Sequence, residues 1–188
     1  MKQAPTRVFG NMLASRQMKT LTLALILAGS AMAQQYNAQG EIVLPPDYRE
    51  WIYLSTGLGM NYSETPSAHP NFDNVFVNPE AYRVFLKTGA WPDKTMMIIE
   101  ARASDDDPLS KGGKFQNKIT AWELHVKDAS HGGWAFYAIQ PTAKSGKAFP
   151  KTAACFICHQ KNGAVDTTFV QYYPTLIDAA VKAGTFKK

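Results

Sequence analysis

The residues best placed to do chemistry are two thiols and an imidazole in the run Cys155-Phe156-Ile157-Cys158-His159. These are the chain's only cysteines. Thiols three residues apart can each form a thioether to one of two vinyl groups on the same edge of a porphyrin. The histidine that follows then lies beneath the ring, where its imidazole can ligate iron. Other uses of the triplet fit less well. A tetrahedral zinc site needs a fourth ligand, and His69, His125 and His131 lack the paired spacing of a zinc motif. A thioredoxin-type pair opens a helix after the first strand of a βαβ unit, whereas this pair sits in the last fifth of the chain. A disulfide between Cys155 and Cys158 would close a very small loop and constrain the unfolded chain little.

The compartment supports the same chemistry. Residues 1–33 hold Lys2, Arg7, Arg16 and Lys19 but no acidic residue, and Leu21 to Ala28 is a short apolar run. Small residues, Ala31-Met32-Ala33, precede Gln34. Basic flank, apolar run and small residues make a secretory signal, and the run falls short of the roughly 20 apolar residues that span a bilayer. Met18-Lys19, directly before the run, offers a second and more compact start. The mature chain is expected to be a single domain over 34–188, exported to the periplasm and free of the membrane after cleavage. Cleavage would leave 155 of 188 residues and reduce twenty basic residues to sixteen, against fifteen acidic, so net charge falls from +5 to +1. The alkaline pI therefore gives no argument for nucleic-acid binding.

A second axial ligand would have to come from upstream, because neither Met nor His follows His159. Met60, Met96, Met97, His69, His125 and His131 are the candidates. Met96 and Met97 lie in a strand-like run and read as core. His125 shares a strand face with Glu123 and Lys127 and reads as solvent-exposed. His131, before two glycines, reads as turn. His69, before Pro70, reads as loop, with a pocket-mouth residue or ligand as the alternative. One axial histidine, His159, and an open opposite position is the expected state. Arg49, Arg83 and Arg102 are the arginines considered for the haem propionates, and the sequence does not choose among them.

Around this segment the periodicity predicts an α+β chain, mainly antiparallel sheet, with a helix before the third strand and a C-terminal haem-binding segment and helix. Glu41–Leu44, Glu50–Leu54 and Asn74–Val77 read as short strands, the second alternatively as a helical turn. Asn78-Pro79-Glu80 opens a helix with Asn as N-cap and Pro at N1, and Gly89 closes it. Thr95–Ala101 and Ile119–Val126 are strands flanking a polar loop over 104–116. Trp134–Ile139, apolar on both faces, is expected to be a central strand. Lys144–Thr152 reads as loop, and Thr168–Phe186 as a closing helix interrupted by Pro174.

Several stretches, in this order, are similar to the cytochrome P-460 and cytochrome c′-β family: Tyr48-Arg49-Glu50-Trp51, Asn78-Pro79-Glu80-Ala81-Tyr82, Lys87-Thr88-Gly89, Gly133-Trp134-Ala135-Phe136-Tyr137, and Cys155 through Tyr173-Pro174. The likeness runs from about Glu41 to Leu176. It implies an antiparallel β fold, a homodimer and one five-coordinate haem c per chain. It also implies either hydroxylamine oxidation or nitric oxide binding. In P-460 enzymes a strand lysine is bonded to the haem edge, and matching Thr95 and Glu100 to the family pattern puts Ile99 at that place. Lys87 and Lys94, outside the strand, are expected to face water. The acidic residue that some members carry just upstream of the haem motif is also missing, since Lys147–Ala154 contains no Asp or Glu.

These departures point to an apolar distal pocket walled by Ile99, Phe149 and Phe72, suited to nitric oxide or another neutral diatomic ligand. Hydroxylamine oxidoreductase is the alternative, and a plain electron carrier ranks last. An exchange partner for electrons fits all three readings.

Overall fold

The computed structural model of the protein describes Met1, residues 36–60, Thr65 and residues 67–187. The signal segment expected over 1–33 lies, Met1 apart, outside the described residues. From Tyr36 onward the described chain belongs to one compact unit, Ala31–Lys188.

Five strands build the main sheet: β2 (Ile52–Leu58), β3 (Phe72–Val77), β4 (Met96–Asp106), β5 (Lys114–Asp128) and β6 (Gly133–Ile139), all antiparallel in that spatial order. Helix α1 (Pro79–Thr88) is inserted before β4, the sheet's third strand. A two-stranded pair, β1 (Ile42–Val43) with β7 (Ser145–Gly146), lies beside β6, where Gly146 is pressed against the Ala138 carbonyl. Helices α2 (Ala154–Asn162) and α3 (Pro174–Ala183) follow. The expected fold class is what the chain adopts. Among the described residues, no helix is long and apolar enough to cross a membrane.

Alternation along the strands divides the core in two. Ile98, Leu124, Val126, Tyr137 and Ile139 face one side, where Ile42, Tyr48 and Trp51 cover them. Val75, Val77 and Met97 face the other, packed with Phe85, Trp91, Leu176 and Ala180. Strand β4 serves both cores, which explains its unbroken apolar start, Met96-Met97-Ile98-Ile99.

Four local expectations need correction. The loop is shorter than 104–116: β4 runs on to Asp106 and β5 starts at Lys114, a ribbon in which Asp106 pairs with Lys114 at 2.5 Å and Asp105 with Asn117, and the loop is confined to 107–113. Polar side chains suit a ribbon wetted on both faces, so their polarity does not indicate a loop. Strand β6 is an edge, not a centre; it is apolar on both sides because each core covers one face and Ala148 bridges Tyr137 along its rim. Pro174 starts α3 instead of interrupting it, occupying the first turn where a missing N–H costs nothing. Asn78 stands at the N-cap position, but its Oδ1 accepts from Met96 N at 2.8 Å and ties α1 to β4.

Candidate functional site

In α2 the positions of Cys155, Cys158 and His159 are i, i+3 and i+4, so the helix gathers them on one face. Both cysteines are free thiols and partly exposed. His159 is 6% exposed. Its Nδ1 lies 2.8 Å from the Thr167 carbonyl oxygen. A carbonyl can only accept, so Nδ1 carries the proton and Nε2 keeps its lone pair. Burial lowers the imidazole's pKa, against a smaller opposing effect of the Thr167 bond. The ring is neutral and presents one free basic nitrogen, the form in which histidine binds a metal.

The loop after α2 exists to place that carbonyl. Gly163 lies so close to His159 O, Thr168 N and Thr167 C, at 2.7, 2.8 and 2.9 Å from where a Cβ would stand, that only glycine fits without displacement. Thr168 is fully buried; its hydroxyl donates to Val165 O at 2.7 Å and accepts from Trp91 Nε1 at 2.8 Å. Sequence reasoning missed Gly163, Thr167 and Thr168, although a glycine four residues past a candidate ligand is a visible signal.

His159 and Cys158 form part of a cleft of about 800 Å³. One wall is α2 and the segment after it, with Phe169, Tyr172 and Tyr173; the Phe169 ring stands 4.2 Å from that of His159. The other wall is the sheet, in three rungs set by strand register. Val77, Met97, His125 and Phe136 form the first, Val75, Ile99 and Glu123 the second, and Asp73, Ala101 and Ala121 the third. At the first rung the His125 ring stacks on Phe136 at 4.3 Å and meets His159 edge-on at 4.5 Å.

The expected pocket residues divide. Ile99 lines the cleft; Phe149 and Phe72 do not. Phe149 is 41% exposed on the outer rim of β6, where its N–H donates to Phe136 O; the turn before α2 carries it away from the site. Phe72 belongs to the strand face opposite to Asp73 and Val75, so it points away. His69 and Met60 stand at the mouth. Met96, Met97 and His131 are core and turn, as read, and His131 is bonded to Asp128. Lys94 is paired with buried Asp128, and Lys87 is exposed. Among the described residues, no Arg or Lys lines the cleft. Arg49 and Arg102 instead clamp Glu100 on the far face of the sheet, and Arg83 pairs with Glu80.

Two corrections change the chemistry. His125 is 5% exposed, not solvent-facing. Burial, and secondarily His159, hold its pKa well below the ordinary value, so it is neutral. Nor is the cleft apolar, because Asp73 and Glu123 line it. Desolvation, and then the charge of Glu123, pushes Asp73 up to about 6; desolvation raises Glu123 as well. Glu123 is open to the empty space of the cleft yet enclosed by its walls, and this reconciles its accessibility with its raised pKa. On a strand, residues facing a cofactor cleft alternate as residues facing water do, so the polar face of β5 looked like a surface.

The donor set fits haem: a neutral imidazole with one free nitrogen, two unpaired thiols on its helix face, and a cleft large enough for a planar ring. No curated protein matches the chain. The family model for cytochrome P460 matches residues 45–170, a span that takes in β2 to α2 with the sheet wall of the cleft and the Cys155–His159 segment. Over more than half its length, therefore, the chain belongs to the cytochrome P460 family, whose members are haem cytochromes.

Proposed function

We propose that this family member is an exported, mono-haem c-type protein that binds a small nitrogen-oxide or diatomic ligand, with nitric oxide as the first candidate. Cys155 and Cys158 would hold the haem through two thioethers, and His159 Nε2 would be the single protein ligand to iron. When bound, the haem supplies an iron with one coordination position open to ligand. The observation that carries the reading is the bond from His159 Nδ1 to Thr167 O, which fixes the tautomer and leaves Nε2 to ligate. Val75, Ile99 and Ala101 give the sheet wall an apolar strip suited to a neutral diatomic molecule. Export and the homodimer belong to the same proposal, the first resting on residues 1–33 and the second on family resemblance.

A second reading, hydroxylamine oxidation, is favoured by one observation: Asp73 and Glu123 offer proton acceptors inside the cleft. Against it stands Ile99, at the place of the cross-linking lysine.

Intact-mass analysis of denatured periplasmic protein should show added porphyrin mass, and bare polypeptide would end the proposal. The dithionite-reduced spectrum should be high-spin and five-coordinate and should shift with nitric oxide. A six-coordinate low-spin spectrum at neutral pH contradicts the open position. Turnover of hydroxylamine with an artificial electron acceptor, together with a protein–haem bond beyond the thioethers, would replace ligand binding with the enzyme reading.

A further inference from the structure

We propose that Asp73, Glu123 and His125 form a ligand-sorting subsite, which rejects small anions and admits neutral ligands, those that donate an N–H or O–H bond included. The inference rests on the haem reading above and specifies what the cleft admits.

The argument starts from an asymmetry between carboxylates. The two most deeply buried ones among the described residues are both paired: Glu100 with Arg49, Arg102 and Tyr48, and Asp128 with Lys94, Ser130 and His131. Asp73 and Glu123 have neither a cation nor a hydrogen-bond donor as partner among the described residues. They stand on one face of the sheet, on strands either side of β4, and the small side chains of Ala101 and Ala121 leave the space between them open. A fold that neutralises its buried carboxylates leaves these two, which face the cleft, without a partner.

His125 is the independent observation. It is 95% buried, it lines the same cleft, and its ring nitrogens have no hydrogen-bond partner among the described residues. Ring nitrogens that face the cleft without a protein partner are free to bond to a ligand there. The other titratable groups facing the pair are His69 at the mouth and Cys158, His159, Tyr172 and Tyr173 on the opposite wall. With no Arg or Lys in the lining, the field inside is negative once the carboxylates ionise. Such a field disfavours an anion entering the cleft, by on the order of tenfold for each full charge at an effective dielectric near 20.

The test uses ferric holoprotein at pH 8 and titrates azide and fluoride as anions and imidazole as a neutral N–H donor. In the D73N/E123Q variant, azide and fluoride should bind roughly tenfold tighter or more, while imidazole affinity stays level or falls. The reduction potential should rise in the same variant, because negative charge has left the neighbourhood of the iron. Asp73→Asn alone should show several-fold tightening and a smaller rise in potential, which keeps the test decisive if the double variant does not fold. Unchanged anion affinity and potential in variants with an intact Soret band overturn the subsite and leave the haem reading standing. Wild-type protein without a Soret band would remove the haem reading, and the subsite with it.

Discussion

His159 Nδ1 and the Thr167 carbonyl oxygen lie 2.8 Å apart across a turn that Gly163 makes tight enough to close. The candidate ligand, the acceptor that orients it and the residue allowing their approach all fall within nine positions. The orientation of the imidazole is thus a local property of the segment following the cysteines.

Gly163→Ala should break that local property. Its φ of -67° is ordinary, so the cost is steric: the methyl would meet His159 O and the Thr167–Thr168 backbone. Overpacking of this kind costs about 1–3 kcal/mol. The expected outcome is a lower Tm together with a shifted iron–histidine stretching frequency in the ferrous protein, read by resonance Raman. A variant with wild-type frequency would show that Thr167 does not set the ring's orientation.

Thr168→Val removes the acceptor of Trp91 Nε1 while keeping the volume. Trp91 is 2% exposed, and a buried N–H left without a partner costs about 1–3 kcal/mol. Chemical denaturation should show that loss with little change in m-value. Trp91→Phe in the same background should recover part of it, because the orphaned donor is then gone. Additive losses instead would show that the two side chains are not coupled.

The limits of sequence reasoning are clearest on β5. The alternation of Trp122, Leu124 and Val126 with Glu123, His125 and Lys127 separates the two faces correctly, and the cysteine spacing locates the chemistry. A period of two cannot say whether the polar face meets water or a cofactor cleft, since both accept charged residues. Only the register that brings Glu123 beside Ile99, and His125 opposite Phe136 under His159, resolves it. Nearness in sequence misled in the other direction: Phe149, six residues before Cys155, lies on the outer rim, whereas Asp73, more than eighty residues away, lines the site. The ribbon at 104–106 and 114–116 was hidden by its polarity, since its ladder satisfies the backbone with little burial of side chains.

On the far face of the sheet, Glu100 is 4% exposed and receives hydrogen bonds from Tyr48, Arg49 and Arg102. Burial alone would raise its pKa, but the bonds from Arg102, Tyr48 and Arg49 outweigh it and hold the carboxyl below its ordinary 4.5. A depressed pKa means a stabilising contribution present above about pH 4.5 and lost as pH falls through the folded-state value. Arg102→Met withdraws one donor and a partner charge, so the acid-unfolding midpoint, followed by tryptophan fluorescence, should move to higher pH. Stability at neutral pH should fall by about 1–3 kcal/mol. A midpoint that stays in place would mean that Arg49 and Tyr48 suffice to hold the charge.

Asp73 has the opposite sign. Its folded-state pKa, pushed up to about 6 by burial and then by Glu123, exceeds the ordinary 3.8, so ionisation costs more in the folded protein than in the unfolded chain. Its contribution to stability is full below about pH 4 and is lost as pH rises through 6. Asp73→Asn cannot ionise and escapes that loss. The Tm of the variant should match the parent near pH 4 and exceed it from pH 7 upward, the gap opening between pH 4 and 6. Glu123→Gln in a separate variant should make the parent's decline smaller and end it at a lower pH, because the like charge that helps to raise Asp73 is removed. Parallel Tm profiles from pH 4 to 8 would show that Asp73 ionises without penalty, as a carboxylate does when solvent reaches it freely.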